Sequence, residues 1–377
     1  MKINWKPFLR ILLLCLGLRL LLGLWMWGVR QVLPQAVLLG NTLDLYRGVL
    51  PSSSPWLEPW QRWDTPQYQA IAERGYTAFD TALFTPPLYP LLIRLTALLT
   101  GGNTLLAGMI VAWIASLFCL LSLYRMARFE LGDDAAAWRT VLYLAAFPTA
   151  FFLFAAYTES LFVLAAVLSL FAVRREKWLL AGVWGAAAAL TRSPGILMLL
   201  PLTYAAWQAW RHGDRRGWLA PVITLAGAAL FPLYVWLGFG LPPTAILVAV
   251  GRGGVLAFPG WNVIETIIRI IHGQAVRENL TELFFMLLFI VLTIFAWKKL
   301  PRLYGIYSVT FMAFFLARLG APQPLVSMAR YVLELFPAFL VLAAWGRRPW
   351  VNRLVLYSSW LGLLFFSAQF ALWGWVG

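Results

Sequence analysis

Apolar residues fill this chain in long unbroken runs, not in the alternating or one-faced stripes of a water-soluble protein. A run of about 20 such residues can cross the bilayer core as a helix. The first, Phe8 to Val29, is too long for the core of a cleaved leader and has no small-residue cleavage site, so a retained anchor is expected. After a polar interval comes Thr104 to Tyr124, and then one run from Ala135 to Val173 that Phe147-Pro148-Thr149 divides in two. Trp178 to Arg192, Gly195 to Trp210, Trp218 to Gly238, Leu280 to Trp297, Leu303 to Leu319, Met328 to Trp345 and Leu354 to Val376 complete the set. The pattern predicts an all-α, polytopic bundle of about 11 transmembrane helices, forming one domain over residues 1–377.

Composition agrees: 62% hydrophobic and 12% charged residues exclude a soluble globular protein. The 21 Trp and 13 Tyr suit belts at the two membrane interfaces. A net charge of +15 raises the question of nucleic acid, but the basic residues lie in short clusters between apolar runs and form no single face. Chain orientation and contact with anionic lipid explain them, and no nucleic acid partner is expected. With the N-terminus inside and eleven spans, six clusters fall on the cytoplasmic side: Lys2/Lys6/Arg10, Arg125/Arg128, Arg174/Arg175/Lys177, Arg211/Arg215/Arg216, Lys298/Lys299/Arg302 and Arg347/Arg348/Arg353. Residues 30–103 and 239–279 are then the two large outer loops. Cys15 and Cys119 sit in apolar runs, which predicts neither a disulfide framework nor a cysteine metal site.

The first outer loop carries the least apolar and most informative stretch, Trp60 to Pro90. Asp64 or Thr65 can cap a helix here, Pro66 suits its first turn and Gly75 can stop it. Tyr68, Ile71 and Ala72 share a face, so a short juxtamembrane helix is expected, with Asp64 presented at its positive end. Asp64 is either a plain cap or an acid held ready for chemistry. Pro87 to Thr100 forms a second juxtamembrane helix that does not cross. In the second loop, G-R-G-G (Gly251 to Gly254) reads as a flexible turn. Trp261 to His272 repeats Ile264, Ile267, Ile268 and Ile271 at helical spacing, which predicts an interfacial helix serving as a lid. His212 and His272 stand alone, and the sequon at Asn279 abuts a span and reads as a chance match.

The stretch W-D-T-P-Q-Y-Q-A-I-A-E-R-G-Y, followed by P-L-Y-P-L-L, resembles the PIG-V-like mannosyltransferases of the GT-C superfamily. F-P-T-A-F-F-L-F-A-A-Y-T-E-S-L-F (Phe147 to Phe162), L-T-R-S-P-G (Leu190 to Gly195) and, more weakly, A-R-Y-V-L-E-L-F-P (Ala329 to Pro337) agree in order. Pro86 stands where the family usually has an aromatic. The resemblance implies a GT-C-like fold and an inverting transfer of mannose or another hexose. The donor would be a polyprenyl- or dolichyl-phosphate sugar and the acceptor a lipid-linked or glycolipid hydroxyl. It implies Asp64 as general base on the extracytoplasmic face, with the bacterial inner membrane preferred to the endoplasmic reticulum.

Charged side chains inside a membrane usually face a cavity or one another. Counted from the inner ends of their runs at 1.5 Å per residue, Glu159 and Arg192 lie roughly 21 Å up, Arg330 roughly 22 Å and Glu334 roughly 16 Å. They share a layer beneath the Asp64 loop. Either they neutralise each other as Glu159–Arg192 and Arg330–Glu334 pairs, or Arg192 and Arg330 grip a donor phosphate with their planar forks. Arg19 and Arg318 are weaker candidates, equally readable as packing residues. Trp63, Tyr68, Tyr76, Tyr89, Tyr157, Glu159, Tyr331 and Glu334 are expected to line the substrate cavity, with core packing the competing reading for the tyrosines. No metal or other cofactor is expected, because no second acid accompanies Asp64 in a D-x-D pattern. Membrane lipids are partners, and no obligate protein partner can be inferred. A transporter or flippase of a lipid-linked saccharide is the alternative function, against which stands the absence of an internal repeat.

Overall fold

The computed structural model describes residues 5–35, 45–76, 85–242 and 254–376. It opens with α1 (Lys6–Val32). In α2 (Thr65–Arg74), Pro66 falls in the first turn and Gly75, at φ +76°, ends the helix. At ten residues, α3 (Leu88–Ala97) spans about 15 Å and cannot cross a bilayer. Asn103 caps α4 (Thr104–Leu131) by accepting from the Leu106 N–H, and left-handed Gly132 closes it. Asp133 caps α5 (Asp134–Ala145). There follow α6 (Glu159–Arg174), α7 (Trp178–Thr191), α8 (Leu199–Arg211) and α9 (Leu219–Phe239). Strand β1 (Gly254–Leu256) leads to α10 (Trp261–Ile271), α11 (Val276–Lys299) and α12 (Arg302–Ala317). Strand β2 (Arg318–Gly320), α13 (Met328–Tyr331), α14 (Pro337–Trp345) and α15 (Pro349–Ala371) complete the chain.

A helix lies in each of the eleven apolar runs. Among the described residues, five are long and apolar enough to cross a membrane by themselves: α1, α4, α9 with the turn before it, α11 and α15. The run Met328 to Trp345 is not one straight helix. The segments Met328–Glu334 and Pro337–Trp345 meet at 86°, as a broken span or a re-entrant loop. Pro337 has no N–H to continue an α-helical ladder and restricts Phe336 before it, which places the break. The depths of Arg330 and Glu334 counted along a straight helix from Trp345 are therefore corrected. In the run from Ala135 to Val173, Phe147-Pro148-Thr149 does end a helix, but regular α-helix resumes only at Glu159. A 3-10 turn over Ser193–Met198 likewise precedes α8, and α12 stops at Ala317, so Arg318 leaves the helix.

Two compact units make up the chain, one of residues 1–81, 87–164 and 345–376, the other chiefly of 165–344. In the first, the Trp25 indole N–H donates to the Leu364 carbonyl at 2.8 Å, tying α1 to α15. A Cβ on Gly362 of α15 would stand 2.8 Å from Pro148, so the break at Pro148 needs a glycine opposite it. Helix α2 is more enclosed than a helix lying on a surface, with Thr65 to Ala72 all buried. In the second unit, α10 turns its polar residues Asn262 and Thr266 inward and exposes Ile264, Ile267, Ile268 and Ile271. That arrangement is the reverse of a soluble amphipathic helix and suits a lipid interface. G-R-G-G lies outside the described residues as far as Gly253.

Candidate active site

In the first unit the site is built around a turn at Arg62-Trp63-Asp64. Trp63 holds φ +53°, in the left-handed region that a bulky residue adopts only when its surroundings enforce it, at a cost of about 1–3 kcal/mol. Arg62 is fully buried and chelates the Ala371 carbonyl through Nε and Nη2 at 3.1 and 3.0 Å. Its Nη1 donates to the Glu58 carbonyl at 2.6 Å, and its Nη2 meets Glu58 Oε1 at 2.6 Å. Glu58 also meets Arg30 at the end of α1, at 3.1 Å. Burial pulls the Arg62 guanidinium below its usual value and Glu58 acts against that pull. Across the turn, the Tyr157 hydroxyl donates to the Arg62 carbonyl and accepts from the Asp64 N–H, both at 3.2 Å.

Asp64 occupies the N-cap position of α2, yet its side chain makes no capping hydrogen bond to that helix. The expectation that the Asp64 side chain caps this helix is thus corrected. Thr65 does not cap either; its hydroxyl faces the Trp60 and Ala156 carbonyls at 3.3 and 3.4 Å. Below the turn, Tyr68 packs edge-on against Tyr89 at 5.3 Å and against Tyr157 at 6.0 Å. The Tyr89 hydroxyl donates to the Gly108 carbonyl at 2.9 Å, which gives that ring a packing role. Tyr157 leads into Glu159, the first residue of α6, where a negative charge meets the positive end of the helix. Tyr76 is half-buried just after α2.

In the second unit three arginines converge on one ring. The guanidinium carbons of Arg192, Arg318 and Arg330 lie 5.3, 5.1 and 5.2 Å from the Tyr331 ring centre. Arg192 follows α7 in an extended conformation (φ −144°, ψ 142°). The L-T-R-S-P-G turn then doubles back so tightly that a Cβ on Gly195 would stand 2.3 Å from the Ala188 carbonyl oxygen. Only glycine fits there. Arg318 is held by the β1–β2 pairing, in register with Leu256. The Asn262 amide also donates to the Phe315 and Arg318 carbonyls at 2.8 and 2.9 Å. Arg330 sits in α13, behind left-handed Ser327, with the neighbouring Ala329 N–H donating to Glu282 Oε2 at 2.7 Å.

Arg192 Nε lies 3.1 Å from Glu334 Oε1, so Glu334 is shared with the end of α7 as well as being one turn beyond Arg330. This contact joins two residues of the second unit, Arg192 and Glu334. The Glu334 carbonyl accepts from the Tyr307 hydroxyl at 2.6 Å, which fixes the break before Pro337. Arg318 is the residue whose weight sequence reasoning missed. Its signal was the Gly320 and Pro322 that follow, which stop α12 and turn the arginine inward. Among the described residues, no three His, Cys, Asp or Glu side chains are grouped to hold a metal.

A model of the dolichyl-phosphate-mannose-protein mannosyltransferase family matches residues 85–238, a stretch that contains Tyr89, Tyr157, Glu159 and Arg192. Comparison with curated proteins gives no match. Among solved structures, the chain is similar to ArnT from Cupriavidus metallidurans bound to undecaprenyl phosphate. Identity is 15%, the match covers 95% of this chain and 76% of that one, and the TM-score is 0.54. It is also similar to the Archaeoglobus fulgidus oligosaccharyltransferase tethered to an acceptor peptide, at 11% identity over 97% of this chain and 56% of that one. That likeness has a TM-score of 0.43. The chain has the fold of the GT-C membrane glycosyltransferases.

Proposed function

We propose that the protein transfers a hexose, mannose in the PIG-V-like reading, from a polyprenyl-phosphate donor to a lipid-linked or glycolipid hydroxyl on the extracytoplasmic side of a bacterial inner membrane. The observation that carries this reading is the convergence of Arg192, Arg318 and Arg330 on Tyr331. Three guanidinium groups around one ring suit an anionic ligand, and arginine stays charged and binds phosphate oxygens bidentately. The fold shared with ArnT, a protein solved with undecaprenyl phosphate, supports a lipid phosphate as that ligand.

Asp64 is the general base. It takes the proton of the acceptor hydroxyl as that oxygen bonds to the anomeric carbon. The bond from that carbon to the donor phosphate breaks with inversion, and its electron pair leaves with the polyprenyl phosphate. The arginines stabilise the charge that the phosphate gains, an interaction stronger in the transition state than in the ground state. Tyr68 and Trp63 flank the acid in the first unit, where Glu159 adds a second negative charge. Tyr331 and Glu334 orient the arginines in the second. The reaction needs no metal in this scheme.

The test uses purified protein, a polyprenyl-phosphate hexose and a glycolipid acceptor. Asp64→Asn should lose transfer by about 100-fold or more while still binding undecaprenyl phosphate, seen by native mass spectrometry. Arg330→Ala should weaken that binding, and Arg330→Lys should restore it only in part because the fork is lost. Normal turnover by Asp64→Asn would remove the acid from the chemistry. A protein that moves the donor across vesicles without any transfer product would be a transporter.

A further inference from the structure

Trp63 is a strained residue beside the acid, and the segment after α15 encloses it. Trp375 meets the Trp63 ring edge-on at 4.8 Å and Trp373 does so at 5.7 Å. Arg62, one residue earlier, lies over the Trp373 ring at 4.6 Å while chelating the Ala371 carbonyl. Trp373 itself holds φ +64°. The segment is folded back on the last turn of α15, with the Gly374 N–H donating to the Gln369 carbonyl at 2.8 Å and the Gln369 amide to the Trp375 carbonyl at 2.5 Å. A Cβ on Gly374 would stand 2.4 Å from Gln369 Cγ, so this fold-back is tight. The Trp63 indole N–H is buried with no hydrogen-bond partner among the described residues, so its ring contacts, not a hydrogen bond, hold that end of the side chain.

We infer that Trp63 is a positioning residue for Asp64, and that Trp373 and Trp375 form an aromatic clamp that holds it. The clamp keeps Trp63 in the left-handed conformation, and that conformation sets the direction in which the next residue leaves the turn. Asp64 makes no capping bond to α2, and the turn fixes the backbone from which its carboxylate projects. Tyr157 closes the turn from the other side through the Arg62 carbonyl and the Asp64 N–H. The inference rests on Asp64 being the base, and it adds a second part of the chain, residues 372–376, to the machinery that orients it.

The experiment measures kcat, donor KM and melting temperature in the full-length protein. Trp375→Ala is the lead variant, since that ring is partly exposed and its loss leaves the Arg62 anchor in place. It should lower kcat by about ten- to a hundredfold, as misplacing a catalytic group does, with donor KM and melting temperature unchanged. Trp375→Phe, which keeps an edge-on ring, should recover most of the rate. At the strained position, Trp63→Gly takes the left-handed conformation freely and should retain more kcat than Trp63→Ala. An unchanged kcat in Trp375→Ala overturns the clamp, and so does a fall in kcat that only follows a fall in melting temperature. A rise in KM equal in Trp63→Gly and Trp63→Ala overturns it too, by making Trp63 a substrate contact. Asp64→Asn run alongside separates the two claims. Full activity there removes the base assignment itself, whereas an inactive Asp64→Asn with a fully active Trp375→Ala removes the clamp alone.

Discussion

Arg19 sits in the middle of α1, where an unpaired cation would be costly. Two tryptophan rings enclose it, Trp60 at 4.0 Å and Trp113 at 4.2 Å, and Nη1 donates to the Phe154 carbonyl at 3.2 Å. One side chain thus fastens α1 to α4, to the segment before α2 and to the turn before α6, all within the first unit. This is a packing role, one of the two readings its sequence position allowed. A desolvated cation–π contact is worth about 2 kcal/mol, and the flat guanidinium can face both rings where an ammonium cannot. Arg19→Lys should therefore lower stability by about 1–2 kcal/mol although the charge is kept, read as a fall in melting temperature in detergent. An unchanged melting temperature would mean that charge alone matters there. The same separation of charge from shape distinguishes Arg19 from Arg330, whose substitution should act on ligand binding instead.

Between elements, close approach decides more than hydrophobicity does. Helices α7 and α9 pack through small residues in the second unit. A Cβ on Gly227 would stand 2.3 Å from Ala186 Cβ, and one on Gly185 would stand 2.2 Å from Thr224 Oγ1. The Thr224 hydroxyl donates to the Gly182 carbonyl at 3.3 Å. In lipid, where burial of apolar surface between helices brings little gain, such seams supply the packing. Gly227→Leu should cost about 1–3 kcal/mol or more through overpacking, visible as thermal destabilisation with loss of folded yield. The control is exposed Gly17 of α1, which has nothing near its Cβ and should accept leucine with no such loss. Element positions were legible because apolar runs of span length have one common outcome. Directions were not: an apolar run looks the same whether straight or bent at Pro337. The pairing of Arg192 with Glu334 was hidden for the same reason, since the two residues are remote in sequence and their contact depends on that bend.

At the scale of the whole molecule, the Asp64 loop was legible through its motif, whereas its clamp was not. Trp373 and Trp375 belong to the same apolar run as α15, and nothing in their composition separates a helix end from a fold-back over Trp63. The alternation of charge was more informative. Basic clusters lie at or just after the ends of α4, α6, α8, α11 and α14, every second junction in the series of eleven helical runs, and Asp64, Glu159, Arg192 and Arg330 lie in or next to the intervening junctions. If all eleven runs cross, the positive-inside tendency predicts that the clusters face the cytoplasm and that Asp64 faces the other side. Since five helices among the described residues reach span length alone, the shorter ones must cross as pairs or tilted segments for this parity to hold, and labelling can test it. Ser53, in the first loop, and Arg215, between α8 and α9, are both exposed. The native Cys15 and Cys119 are buried and give little background. A membrane-impermeant thiol reagent added from outside should label Ser53→Cys in intact cells and leave Arg215→Cys unlabelled until the membrane is opened. If both positions label from the same side, the number of crossings between them is even, and the eleven-span parity that puts Asp64 outside is wrong.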